Sequence, residues 1–177
     1  MRDTIETDRL ILSRHTVADF EDSVALWNDE ETVKFCGGAR PRATVWTKLL
    51  YHRGHWDHYG YGCYVVRLKE MGEYLGEIGT NHFMRDSDPA YSPLMPEAGW
   101  VVNPKYHGKG IATEALTAIF KEADASEKIT HPICCIIDHG ENEPSRAIAR
   151  KFGFKQQPGT VKLGDEEVDL WIREKRN

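Results

Sequence analysis

Gly99-Trp100-Val101-Val102-Asn103-Pro104-Lys105-Tyr106-His107-Gly108-Lys109-Gly110-Ile111-Ala112-Thr113-Glu114-Ala115-Leu116 reads as a strand, a Gly-rich turn and the first turns of a helix. Ala98 to Asn103 forms a short apolar strand, and Pro104 ends it because proline cannot donate to a ladder. Ile111, Ala115, Leu116, Ile119, Phe120 and Ala123 then recur at helical spacing and make one apolar face. Between the two, Gly108 and Gly110 remove side chains where an anion would approach the backbone. Free N–H groups and the dipole at a helix start attract such an anion, and Lys109 adds a cation there. Alone, the turn reads equally well as a Gly-tolerant loop entering a core helix. A Walker-type loop does not fit, since position 104 is Pro and Lys109 is followed by Gly110. Nor does a dinucleotide fingerprint, because Thr113 stands where its third glycine should be.

Outward from this stretch the pattern alternates between the two periods. Arg9 to Arg14 reads as a strand, and Thr16-Val17-Ala18-Asp19 as a capping box opening a helix over Val17 to Asn28. Gly37, Gly38 and Pro41 mark a loop, and a second helix runs over Ala43 to His58. Gly62 to Leu68 and Tyr74 to Phe83 form a hairpin. Asp86 to Pro96, with three prolines, is a loop. Ile133 to Ile137 is an unbroken apolar run, as expected of a strand buried on both faces. Pro144 to Phe152 is a short helix with Gly153 just past its end, and Thr160 to Leu163 and Glu166 to Arg173 form a last hairpin. A β-α-β crossover in the middle with hairpins on both sides predicts one mixed-sheet α/β domain over residues 1–177.

The 177 residues suffice for one sizeable core. With 23 basic and 28 acidic side chains the net charge is −5, which argues against non-specific nucleic-acid binding. There is no signal-peptide pattern at Met1 to Glu6 and no apolar stretch that would span a bilayer. Cys36, Cys63, Cys134 and Cys135 include no Cys-x-x-Cys pair, and Cys134 and Cys135 read as small buried hydrophobes. A cytoplasmic protein with reduced thiols and no membrane or nucleic-acid partner is expected.

The turn, with His107, Gly110 and Ala112 in the places of a Gln/Arg-x-x-Gly-x-Gly/Ala motif, resembles the pyrophosphate loop of the GNAT acetyltransferase superfamily. Thr7-Asp8-Arg9-Leu10-Ile11-Leu12 and Gly99 to Leu116 are similar to the branch of ribosomal-protein N-terminal (alanine) acetyltransferases. Asn142-x-x-Ser145 through Lys151-Phe152-Gly153-Phe154 is similar to the family's second conserved stretch, so the likeness runs along nearly the whole chain. It departs at His107, where Gln or Arg is usual, and in the long loop from Asp86 to Pro96.

The resemblance implies a single-domain α/β (α+β) fold. Its mixed, mostly antiparallel sheet has a splayed central parallel pair and is flanked by helices. It implies acetyl-CoA as co-substrate, with no metal, and transfer of the acetyl group directly to a primary amine, either a protein N-terminal α-amine or a small molecule. A homodimer is compatible with it. Cofactor contacts are carried to Trp100, Val101, Val102, His107, Gly108, Lys109, Gly110, Ile111, Ala112, Thr113 and Asn142. The pantetheine arm would pair with the splayed strand as an added strand does. Backbone N–H groups around Val101 and Val102 would serve the oxyanion. Ser145 is the expected acid for the departing thiolate, against a simple helix-cap role, and Glu97 the expected base, against a strand-end carboxylate. An acceptor α-amine costs roughly 1 kcal/mol to neutralise at pH 7 and a lysine about 4.6 kcal/mol, which favours α-amines. A non-catalytic acyl-CoA-binding domain on the same fold is the competing reading, and a nucleotide-binding module a weaker third.

Other polar residues suggest no chemistry. His52, His55 and His58 recur every three residues, drift around the helix and suit a surface or an acceptor rim better than a metal. His131 and His139 have no evident partner, and Asp19, Glu21 and Asp22 read as a solvated helix face. Tyr51, Trp56, Tyr59 and Tyr61 either border the acceptor or pack on the sheet.

Overall fold

Alternating and helical apolar patterns resolve into nine strands and five helices in a computed structural model that describes residues 1–176. In chain order these are β1 (Thr4–Glu6), β2 (Leu10–Arg14), α1 (Phe20–Trp27), α2 (Glu30–Val33) and α3 (Arg42–Tyr59). Then come β3 (Cys63–Leu68), β4 (Tyr74–Asn81), β5 (Glu97–Val102), α4 (Ile111–Ala125), β6 (Ile133–Asp138) and α5 (Glu143–Lys151). The chain ends with β7 (Lys155–Gln156), β8 (Val161–Leu163) and β9 (Glu166–Arg173). Each element read from the sequence is present. Two short strands, β1 and β7, and the four-residue α2 were not expected. The first helix begins as a 3-10 turn over Val17–Asp19, where the Asp19 carboxylate accepts the Thr16 N–H at 2.6 Å.

The strands make one sheet in the order β1-β2-β3-β4-β5-β6-β9-β7, with β8 beside β9. Neighbours are antiparallel except β5 and β6, which are parallel. The fold is therefore the mixed, mostly antiparallel sheet with a central parallel pair. Residues paired across β4 and β5 share a face. Ile78 and Trp100, Thr80 and Ala98, and Gly76 and Val102 lie on one side; Glu77 and Val101, Gly79 and Gly99, and Asn81 and Glu97 lie on the other.

The first face carries the main core. Leu10, Leu12, Tyr64, Val66 and Ile78 meet Ile111, Ala115, Leu116, Ile119 and Phe120 of α4, the apolar stripe anticipated for that helix. Leu116 and Ile119 are wholly buried, and truncating either to Ala costs about 2–5 kcal/mol. On the second face α1 and α3 cover the N-terminal strands through Leu26, Trp27, Val33, Val45, Val65 and Tyr74. The same face of β6 and β9 is covered by Val161 of β8 and by Tyr91 and Met95 of the loop before β5. Between these two covers, the second face of β5 lies at the bottom of a groove.

Three expectations are corrected. His52 and His55 do not face solvent: they are 1% and 5% exposed. Their side of α3 is the one that meets the sheet, where Leu49 and Trp56 are also buried. Asp19 is buried and bonds Arg67 at 2.8 Å, so it belongs to no solvated face. His139 does have a partner, the buried carboxylate of Asp169 at 2.7 Å, which Arg146 of α5 also holds at 3.1 Å. Cys134 and Cys135 are fully buried as expected, and burial beside Glu97 pushes the Cys134 thiol up to about 12.

Candidate active site

β5 and β6 start together and then separate. The Cys134 N–H donates to the Pro96 carbonyl at 2.9 Å, and Glu97 opposite Cys134 is the one register pair they share. Beyond it the strands diverge into a cleft that opens toward the Gly-rich turn. Alternation decides which backbone groups face it. The Pro96 carbonyl points to β6, whereas the Asn103 N–H reaches the Leu75 carbonyl of β4 at 2.7 Å. Even-numbered residues of β5 therefore turn their N–H and C=O groups into the cleft. Trp100 and Val102 present theirs there, and Val101 is committed to β4, opposite Glu77.

Past Val102 the chain makes a 3-10 turn over Pro104–Tyr106, capped by the Asn103 side chain, which accepts the Lys105 N–H at 3.1 Å. His107 then folds back, and its Nε2 lies 2.8 Å from the Val102 carbonyl. The imidazole thus anchors the turn to the strand it leaves. Gly108 and Gly110 follow at φ +71 and +77, a left-handed conformation that side chains resist. A Cβ at Gly108 would meet nothing within 4 Å, and one at Gly110 only the Arg9 guanidinium at 3.6 Å. This is an open cradle before the first N–H groups of α4 at Ile111, Ala112 and Thr113, the shape a diphosphate needs.

Arg9 is the residue that sequence reasoning missed. Its Nε bonds Glu114 in the first turn of α4 at 2.7 Å, and its Nη1 bonds the Lys109 carbonyl at 3.1 Å. The Thr7 hydroxyl and the Arg9 N–H hold the same carboxylate. A guanidinium is thereby fixed beside the cradle, and the Lys109 ammonium lies over the Tyr106 ring, 4.9 Å from its centroid. The sequence shows Arg9 only as the start of a strand and part of the opening motif, since its partners lie about a hundred positions away along the chain.

Across the cleft, α5 begins at Asn142, whose side-chain oxygen accepts the Ser145 N–H at 3.3 Å. The Ser145 hydroxyl oxygen accepts the Trp100 indole N–H, also at 3.3 Å. That bond spans from β5 to α5 and leaves the Ser145 proton free to be given away. Trp100 also packs edge-on to Phe154 at 6.5 Å between centroids. Trp100, Val102, Asn142 and Ser145 thus meet around the cleft, and His107 to Thr113 lie at its mouth.

Glu97 sits apart from these groups, on the groove face at the closed end. It is 6% exposed, and Arg85 forks onto it through Nε at 2.8 Å and Nη2 at 2.9 Å. The Tyr91 hydroxyl lies 3.4 Å from the same carboxylate. Both oxygens are engaged by a cation, an arrangement suited to holding Arg85 in place. Two residues along, Gly99 is exposed, and a Cβ there would meet nothing within 4 Å. It is a notch on the groove face of the strand.

Among the described residues, His15, His52 and Cys63 bring potential metal-ligand atoms within 4.8 Å of one another. They lie over β3, two strands from β5, and the two imidazoles stack at 4.6 Å. Acetyl transfer asks nothing of them.

The comparisons agree with this geometry. Residues 9–155 match the family described as acetyltransferase (GNAT) domain. A chain described as a GnaT-family acetyltransferase from Bordetella pertussis is 28% identical with a TM-score of 0.82, covering 98% of this chain and 100% of that one. An acetyl transferase from Salmonella typhimurium, which modifies the N-terminal serine of ribosomal protein L7/L12, shares the fold at 16% identity and TM-score 0.73, covering 94% and 95%. So does RimL, the ribosomal L7/L12 α-N-protein acetyltransferase in complex with coenzyme A, at 15% and 0.74, covering 96% and 97%. With a strand pair that parts, an anion cradle at its mouth and a family match over most of its length, the chain belongs to the GNAT family and is an N-acetyltransferase that draws its acetyl group from acetyl-CoA.

Proposed function

We propose that the donor lies in the cleft between β5 and β6 and that the amine reaches it from the opposite face of the sheet, through the notch at Gly99. The observation that carries this reading is the separation of β5 from β6 after a single shared pair, which leaves the cleft-facing groups of Trp100 and Val102 without strand partners. Gly108, Gly110 and the start of α4 take the diphosphate, with Lys109 and Arg9 balancing its charge. Asn142 borders the pantetheine arm. The donor supplies a thioester acyl group and, on its loss, a thiolate.

The chain's own groups do the rest. The amine lone pair forms the new C–N bond while the carbonyl oxygen gains charge, which the cleft-facing N–H groups of Trp100 and Val102 are placed to stabilise. The C–S bond breaks with its electron pair on sulfur, and the Ser145 hydroxyl gives that sulfur a proton. The nitrogen, cationic after bonding, loses one proton to water, and Ser145 is reprotonated from solvent. Glu97 acts as the residue that positions Arg85. We place the enzyme in the cytoplasm, where its four unpaired cysteines stay reduced. No described helix is long and apolar enough to cross a membrane.

Release of free thiol from acetyl-CoA, followed over a panel of peptides and small amines, is the test. Ser145→Ala is expected to lower kcat about 100-fold, the usual scale of a lost general acid, while acetyl-CoA affinity stays within about twofold. Tight CoA binding without thiol release in any mixture would overturn catalysis.

A further inference from the structure

Two buried carboxylates on the groove face each pin one cation. Glu97 holds Arg85 at the closed end, and Glu77, opposite Val101, holds Lys48 at 2.8 Å. Glu77 is 3% exposed and also accepts the Trp27 indole N–H at 3.0 Å and the Tyr74 hydroxyl at 2.9 Å, with Ser23 as a fourth donor. Its charge is spread over these four donors, with His15 Nε2 at 3.7 Å, and the Lys48 ammonium also lies over the Trp27 ring, 3.3 Å from its centroid. Both cations are partly open, with side-chain exposures of 33% for Arg85 and 27% for Lys48. Gly99 lies between the two levels, two residues from each, or about 7 Å along the strand.

The donor count at Arg85 is informative. A guanidinium has five N–H groups. Glu97 takes Nε and one proton of Nη2, and Nη1 makes no bond among the described residues. The edge formed by Nη1 and the second Nη2 proton is therefore free, and that edge matches a second carboxylate. Phe83 backs the guanidinium at 4.8 Å, so it cannot retract from the groove without losing that contact. At the other end the Lys48 ammonium is already matched by Glu77 and lies 3.3 Å from the Trp27 ring centroid, so that end offers an entering amine no free carboxylate.

We propose that the acceptor is an amine that also bears a carboxylate, of the free amino-acid class, with Arg85 as its specificity-determining residue and the amine at Gly99. This rests on the groove being the acceptor side, as argued above. The groove's two ion pairs are each neutral, and an amino acid, with one charge of each sign, adds no net charge on entry. A plain alkylamine enters as a lone cation with no partner for it.

Thiol release with saturating acetyl-CoA tests this on matched pairs: amino acids against the same amines lacking the carboxylate, together with amino-acid amides as stand-ins for peptide N-termini. For wild-type protein, kcat/KM is expected to be at least about tenfold higher for the amino acid of each pair. Arg85→Gln should shrink that ratio toward one, and Arg85→Lys should restore part of it. The wild-type ratio needs no variant, so a poorly folding Arg85→Gln leaves the test intact. Equal or faster turnover of plain amines or amides overturns the carboxylate proposal and leaves the acetyltransferase standing. Thiol release from no amine at all overturns the catalytic reading, and this proposal with it.

Discussion

At the scale of single residues the proposed donor site is a set of fixed charges around empty space. Arg9 shows how such a charge is held: Glu114 fixes Nε, and the Lys109 carbonyl fixes Nη1. Arg9→Gln removes the cation but leaves Glu114 bonded to Thr7. We expect KM for acetyl-CoA to rise about tenfold, equivalent to about 1.4 kcal/mol, with kcat at saturation nearly unchanged. Initial rates across a donor concentration series check it. Glycines 108 and 110 were legible in the sequence because the signal is local, two glycines ahead of an apolar helix. Arg9 was not, because its meaning lies in a contact made across the fold. Asp19 failed for the same reason, its partner Arg67 being 48 positions away. Glu97 was legible as a residue entering this strand but not as the partner of Arg85, which sits in a loop whose path no pattern predicts.

The elements divide according to how much their neighbours decide. α4 was readable in full, since six apolar residues at helical spacing leave it only one side to bury. α3 was readable as a helix but not in orientation. Its histidines at every third position drift off one side, and only the sheet's position shows that His52 and His55 face inward while His58 is exposed. β1 and β7, of three and two residues, exist because β2 and β9 offer them edges. For β5 a direct test separates fold from function. Glycine inside a strand is unfavourable by about 0.5–1 kcal/mol, and at Gly99 the space for a side chain is free. Gly99→Val should melt at or above the wild-type temperature and bind acetyl-CoA normally. Its acetyl transfer should fall at least about 100-fold, because the notch is filled. Calorimetry and thiol release on the same sample decide it, and full activity would remove the amine's route from the notch.

For the whole molecule, burial of polar groups beneath α3 links stability to pH. Burial lowers the His52 imidazole well below its ordinary value and brings His55 down to about 4, although the Tyr61 carbonyl bonded to His55 pulls the other way. The unfolded chain then binds protons near pH 6.5 that the folded chain refuses. Stability is full above that value and falls as pH drops from about 6.5 toward 4. We expect the melting temperature to decline by several degrees between pH 7 and 5, and His55→Gln to flatten part of that slope. Thermal melts across this range, at constant ionic strength, check it.

The single pair shared by β5 and β6 has a mechanical side. Five strands stand on one side of it and four on the other, so within the sheet the two leaves share one stitch, backed by the core they share with α4 and by the Trp100–Ser145 bond as a loose clasp. Such a seam should breathe. Amide exchange at Trp100 and Val102 is then fast in the free chain and slows by orders of magnitude when acetyl-CoA fills the gap, while β3 exchanges slowly in both. The donor would bind the two leaves together, and the enzyme would be mechanically whole only while it carries its own substrate.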